Sequence, residues 1–312
     1  MSSESGGIGN DRGTVITVGT FDGVHLGHRQ VLETISRRAR EADHKSVLVT
    51  FEPHPLEVVN PQAAPMLLTV GHERREILAQ SELDMVVFLE FTRELSQYTP
   101  EDFVRMLLDR FNLKELVIGY DHGFGKGRAG NARLVTQLGS RLGFEVDVVA
   151  EVDLGARPVS STLVRRAVTG GDLGLARKLL GRAYSMTAAV VHGAGRGRDL
   201  GFRTINLVLD NPRKLLPPDG VYAVSAEWPE GASGGMMHLG PRPTFSDEGR
   251  SLEVHLFDWE GDLYGQQIKV WWVKRLRDIT RFSSAKDLQR QLAVDLDEAK
   301  IALTQDAGFG NH

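Results

Sequence analysis

Gly19-Thr20-Phe21-Asp22-Gly23-Val24-His25-Leu26-Gly27-His28 follows the apolar run Val15–Val18 and precedes a stretch in which Val31, Leu32, Ile35 and Ala39 recur at helical spacing. A strand, a glycine-rich turn and an amphipathic helix, in that order, open a βαβ unit. Apolar runs at Val47–Phe51, Met85–Leu89 and Leu116–Ile118, with a partly alternating one at Phe144–Val149, supply further strands. Thr99-Pro100-Glu101-Asp102 carries the cap chemistry of a helix start ahead of Phe103–Asp109. Strands separated by helices predict a mostly parallel α/β sheet covered on both faces, with ligands at the carboxyl ends of its strands.

After about residue 183 the pattern changes. Met186–His192, Ile205–Leu209, Val221–Trp228, Leu252–Phe257 and Ile268–Val273 are strand-like, divided by Gly, Pro and Asp turns with little helix between them. That spacing predicts an antiparallel barrel or sandwich. Leu288–Leu303 predicts a final helix docking through Leu288, Leu292, Leu296 and Ile301. The segment Ser160–Arg182 reads as helical and joins the halves. Residues 1–13 read as a disordered tail, which leaves domains at 14–183 and 184–306.

Composition limits the function classes. The 312 residues suggest about two domains at roughly 150 residues each. Hydrophobic residues at 41% and charged residues at 25% match a soluble globular chain and exclude wholesale disorder. No apolar run reaches the ~18 residues of a membrane span. The absence of cysteine rules out disulfides, thiolate zinc, iron–sulfur clusters and a Cys nucleophile, and a reducing cytoplasm is the expected compartment. With 37 Lys and Arg against 41 Asp and Glu, the net charge of −4 argues against a bulk nucleic-acid binder.

The chemistry of the opening motif follows from its position. Glycines allow close backbone approach, and a helix N-terminus presents unpaired N–H groups to phosphate. His25 and His28 can donate to phosphate oxygens whose charge grows as pyrophosphate leaves. A metal reading is weaker, because the pair has neither a cysteine partner nor i,i+4 spacing. The plainer alternative is a capped turn with solvent-facing histidines, and the strand–glycine–histidine–helix context weighs against it. Ser160, Ser161 and Thr162 can cap a helix while donating hydroxyls to phosphate, with Arg165 close behind. Taken alone, Ser-Ser-Thr reads better as an ordinary N-cap than as a ligand site, and a rigid exposed turn explains His54 between its prolines. Gly125 to Gly130 spells Gly-x-Gly-x-x-Gly, but too late in the sheet for a dinucleotide fingerprint, and no P-loop occurs.

The opening run closely resembles the signature of HxGH nucleotidyltransferases, in the form found in bifunctional riboflavin kinase/FAD synthetases. Phe51-Glu52-Pro53-His54-Pro55 is similar to that family's Phe-x-Pro-His-Pro. Gly119-Tyr120-Asp121-His122-Gly123-Phe124-Gly125, with Arg128, Gly130 and Asn131, is similar to its Gly-x-Asp-x-x-Phe-Gly segment, Asn131 standing where Asp is frequent. Val159 to Arg165 is similar to its Ile-Ser-Ser-Thr-x-Ile-Arg loop. The resemblance implies a Rossmann-like nucleotidyltransferase domain that transfers AMP from ATP to FMN. It places His25, His28 and Arg165 in catalysis, and Gly19, Phe21, Asp22, Gly27, His54, Asp121, Phe124, Gly125, Arg128, Asn131, Ser160, Ser161 and Thr162 around nucleotide and flavin.

In the second half His192 to Phe202 is a glycine–arginine loop, which unaided is as well read as a flexible basic turn. Thr204 and Asn206 alternate on a strand and so share a face. Gly197 through Asn206 resembles the riboflavin kinase signature except that Arg203 replaces proline and Ile205 replaces alanine, and His238 stands where Asn is common. The resemblance implies a mainly antiparallel β-barrel with a C-terminal helix that phosphorylates riboflavin. Glu253 is then the catalytic carboxylate, Gly193, Gly197, Arg198 and Gly201 contact nucleotide, and Thr204 and Asn206 hold Mg²⁺. Riboflavin, FMN and ATP are the implied substrates, with no nucleic-acid or membrane partner. Two other readings stay open: an adenylyltransferase with a degenerate kinase domain, and a non-enzymatic flavin or nucleotide sensor.

Overall fold

The computed structural model describes residues 12–119, 123, 125, 130–154, 158–193, 201–241 and 250–307. They form two compact units, residues 1–66 with 74–160, and residues 67–73 with 161–312.

In the first unit β1 (Thr14–Val18), α1 (Leu26–Glu41), β2 (Lys45–Glu52), α2 (Pro55–Val59), α3 (Gly71–Ala79), β3 (Met85–Glu90), α4 (Pro100–Phe111), β4 (Leu113–Gly119), α5 (Ala132–Leu142) and β5 (Glu145–Val149) follow in chain order. The strands pair in parallel in the order β3-β2-β1-β4-β5. Strand alternation sends neighbours to opposite faces. Ile16, Val49 and Leu116 pack with Phe103 and Leu107 of α4 and Val135 and Leu138 of α5. Val15, Leu48 and Val117 pack on the other face with Val31, Leu32 and Ile35 of α1 and Leu78. Two covered faces explain why these strands read as continuous apolar runs. The order reverses between β1 and β4, so ligands of such a sheet belong at the carboxyl ends of these strands.

In the second unit α6 (Ser161–Thr169) and α7 (Leu173–Leu180) precede β6 (Ser185–Val191), β7 (Ile205–Val208), β8 (Gly220–Trp228), β9 (Gly231–Pro241), β10 (Arg250–Leu256), β11 (Gln267–Arg277) and α8 (Ala285–Ala307). The expected helical stretch Ser160–Arg182 is thus two helices. Gly171 at φ 75° breaks it, and Asp172 caps α7 by accepting from the Leu175 N–H at 2.9 Å. The six strands close into an antiparallel barrel ordered β10-β7-β6-β11-β8-β9. Leu292, Leu296, Ala299, Ala302 and Leu303 of α8 pack with Ala223, Met236 and Phe257. Ile301, expected on this docking face, is 59% exposed instead, because the 292-296-299-303 stripe turns it outward.

The segment Leu67–Glu73 belongs to this unit although it lies within the first half of the chain. The Leu67 N–H donates to the Arg213 carbonyl, and the Leu215 N–H donates to the Leu67 carbonyl, each at 2.8 Å.

Candidate active sites

At the carboxyl end of β1 the signature loop is tied to β2. The Gly19 N–H donates to the Val49 carbonyl and the Thr50 hydroxyl donates to the Thr20 carbonyl, both at 3.1 Å. Phe21, Gly23 and Val24 then take left-handed φ angles of 47°, 84° and 40°. Glycine accepts that conformation freely, whereas Phe and β-branched Val do not. Phe21, Asp22, Val24 and His25 are buried in the turn.

His25 is the N-cap of α1: its Nδ1 accepts from the His28 N–H at 3.3 Å. A ring that accepts at Nδ1 carries its hydrogen on Nε2, so the cap bond sets the tautomer. The His25 and His28 rings stack 3.7 Å apart, and the Phe21 ring lies 4.5 Å from His28. A Cβ at Gly27 would sit 3.3 Å from the His25 ring, so a side chain here would crowd the imidazole. Two imidazoles and the first-turn amides of α1 form a donor cluster suited to an anion.

His54 caps α2, its Nδ1 accepting from the Leu56 N–H at 3.2 Å. Asn131 caps α5, accepting from the Leu134 N–H at 3.0 Å, a task Asp would also perform. Gly125 has φ 72°, which strains any other residue, and a Cβ there would sit 3.0 Å from the Pro100 backbone nitrogen. Asp121, Phe124 and Arg128 lie outside the described residues. Arg74, which the sequence reading did not single out, is buried and bonded to Thr20 and Phe51 at the start of both ligand loops.

In the second unit Ser161 opens α6, Thr162 follows in its first turn, and Arg165 lies one turn further on, with Ser160 just before the helix. On the barrel, Glu253 of β10 stands opposite Asn206 of β7 and His238 of β9 in one row of the sheet. Directly paired residues project to the same face, so these three polar side chains are neighbours. Leu252, Val254 and Leu256 are buried while Glu253 and His255 are half-buried. The Glu253 face is therefore the face on which Met236, opposite His255, meets α8.

Asn206 is buried against Gly193, where a Cβ would fall 1.8 Å from the Asn206 side-chain nitrogen. Thr204 precedes β7, and Gly201 adopts φ 79°. The backbone at Arg203, where the family has proline, is fastened: its carbonyl accepts from His255 Nδ1 at 2.8 Å. A carbonyl can only accept, so this bond fixes the His255 tautomer as well. The His192 ring stacks on Tyr264 at 3.5 Å. Gly197 and Arg198 lie outside the described residues. Among the described residues no three His, Asp or Glu side chains group as a metal site, and no helix is long and apolar enough to cross a membrane.

A family model described as FAD synthetase matches residues 8–163, and one described as riboflavin kinase matches residues 180–303. The bifunctional riboflavin kinase/FMN adenylyltransferase of Escherichia coli (strain K12) is 37% identical over 285 residues, covering 91% of this chain and 90% of that protein. The protein of the same name from Pseudomonas fluorescens is 37% identical over 297 residues, 93% of each. A crystal structure described as a macrolide-efflux protein from Streptococcus pneumoniae superposes with a TM-score of 0.85 at 31% identity, covering 94% of this chain and 95% of that one. With both modules matched in order along one chain, this protein belongs to the family of bifunctional riboflavin kinase/FMN adenylyltransferases.

Proposed function

We propose how the residues of this chain divide the work of a transferase that makes FMN from riboflavin and FAD from FMN. Residues 14–183 are assigned to adenylyl transfer and 184–306 to phosphorylation, in keeping with the spans of the two family matches. In the first reaction an FMN phosphate oxygen attacks the α-phosphorus of ATP, the bond to the β,γ-phosphates breaks, and FAD and pyrophosphate leave. No covalent protein intermediate is needed, so the chain's task is alignment and charge stabilisation. The observation that carries this assignment is the stacked His25–His28 pair at the N-terminus of α1, directly after the signature turn. His25 and His28 hold the departing pyrophosphate. Arg165 with Ser160, Ser161 and Thr162 takes the triphosphate, an assignment that rests on the motif. Gly19, Phe21, Asp22, Gly27, His54, Asp121, Phe124, Gly125, Arg128 and Asn131 shape the flavin and nucleotide pockets.

In the second reaction the ribityl 5′-hydroxyl attacks the γ-phosphorus of another ATP, and ADP leaves. Glu253 orients that hydroxyl and accepts its proton. Gly193, Gly197, Arg198 and Gly201 line the phosphate loop. Thr204 and Asn206 offer neutral oxygen donors, which suit an Mg²⁺ held chiefly by phosphates. The ion would neutralise phosphate charge. A cytoplasmic location, where ATP is supplied, suits both reactions.

The test starts one reaction from riboflavin and a parallel one from FMN, each with ATP and Mg²⁺, and follows the flavins by chromatography. FMN appearing before FAD is the expected course. FAD from FMN with no product from riboflavin would mark a degenerate kinase domain, and flavin binding without turnover would mark a sensor. A narrower expectation concerns Gly193→Ala. The new methyl must displace the Asn206 side chain, so phosphorylation should fall by about tenfold or more while adenylylation from FMN is unchanged.

A further inference from the structure

Arg74 is 6% exposed, and burial lowers its pKa, a shift opposed by Glu52 and Asp22. It remains a cation at neutral pH, and a cation taken from water needs strong partners. Its Nη1 donates to the Thr20 carbonyl at 2.9 Å and its Nη2 to the Phe51 carbonyl at 2.8 Å. The guanidinium also lies over the Phe88 ring, 5.3 Å from its centre. One side chain therefore joins the carboxyl ends of β1 and β2, where the loops carrying His25, His28 and His54 leave the sheet.

The first bond has a conformational consequence. The Thr20 carbonyl belongs to the peptide that leads into Phe21, which is held at φ 47°. Such a conformation persists only where neighbouring structure over-determines it. Arg74 fixes that peptide plane from one side, and the Thr50 hydroxyl meets the same oxygen at 3.1 Å. Phe21 in turn packs on His28, and His28 stacks on His25. Resting on the assignment of this histidine pair to the pyrophosphate, we propose that Arg74 is a positioning residue for adenylyl transfer. It clamps the signature loop in the strained form that aligns His25 and His28.

The experiment compares Arg74→Met, similar in reach but without donors, with Arg74→Lys, which keeps the charge and can reach one carbonyl at a time. Misalignment of groups acting on the leaving pyrophosphate lowers kcat and leaves KM nearly unchanged. Arg74→Met should lower kcat for FAD formation by about 100-fold and Arg74→Lys by about tenfold, with KM for ATP and FMN within about twofold of the parent. Circular dichroism and thermal melting of the same preparations report folding of the unit that holds Arg74 and should match the parent, riboflavin phosphorylation should be unchanged, and the ring resonances of His25 and His28 should shift. Parental kcat in a folded variant of either kind, or a change confined to KM, overturns the proposal. Should Arg74→Met fail to fold by those measures, Arg74→Lys decides alone by the same criterion. His25→Ala and His28→Ala complete the set. Parental kcat in those two would sink the histidine assignment itself, whereas their failure beside an active Arg74→Met would sink only the clamp.

Discussion

Glu253→Gln should lower the rate of riboflavin phosphorylation by about 100-fold or more and leave FMN adenylylation by the same protein unchanged. The substitution keeps the side chain's shape and its place in the row with Asn206 and His238. It removes the negative charge and the capacity to accept the hydroxyl proton in the transition state. An amide can still hold the hydroxyl by a hydrogen bond, so KM for riboflavin should change far less than kcat. The two rates are read from separate starts, riboflavin and FMN, in one chromatographic assay. A variant that phosphorylates at the parental rate would remove Glu253 from the chemistry. Loss of both activities would show instead that the carboxylate supports the fold.

Lys214→Met should cost about 3–5 kcal/mol of stability, the range found when one member of a buried ion pair is removed. The Lys214 side chain is 1% exposed and that of Glu73 is 3% exposed. Lys214 Nζ donates to Glu73 Oε2 and to the Leu68 carbonyl, each at 2.7 Å, and lies 4.6 Å from the centre of the Tyr184 ring. Glu73 also accepts from the Thr187 N–H at 2.8 Å and the Val70 N–H at 3.1 Å. Methionine fills the volume but strands a carboxylate in the interior. Adding Glu73→Gln to Lys214→Met should recover part of the loss, because the unmatched charge is gone, although the amide oxygen can replace only one of the two carboxylate oxygens that accept from Thr187 and Val70. Thermal melting of the three variants checks this. A double variant no better than Lys214→Met would mean that the charge is not the source of the cost.

The parts of the fold that were legible are those in which side-chain period and burial coincide. Val31, Leu32, Ile35 and Ala39, picked out by spacing alone, are all buried on α1. β9 was missed because Gly231, Gly234 and Gly235 interrupt any alternation. The reason lies in packing: a Cβ at Gly234 would meet Leu303 of α8 at 2.7 Å, and one at Gly235 the His255 carbonyl at 2.7 Å. Glycine here serves close approach, which leaves no mark in hydropathy. The start of α3 was illegible for the opposite reason. His72-Glu73-Arg74-Arg75-Glu76 has the composition of a solvated charged turn, yet Glu73 and Arg74 are buried by partners distant in sequence. At the candidate sites His25, His28 and Glu253 stood out by motif. The cap bonds of His25, His54 and Asn131 are local, spanning two or three residues, whereas the clasp of His255 on Arg203 joins positions 52 apart and depends on tertiary geometry.

The strap Leu67–Glu73 separates gene order from physical order. Its residues are synthesised more than a hundred positions before Thr187 and Lys214, the groups that complete its bonding. During synthesis, the barrel's own buried carboxylate therefore leaves the ribosome with the first half and must wait for the second. An expression fragment cut where one sequence module gives way to the next would carry Lys214 but lack Glu73. The unit that can be excised from the gene is thus smaller than the unit that packs as a core, and a stand-alone kinase piece would need either the heptapeptide supplied in trans or a neutral residue in place of Lys214.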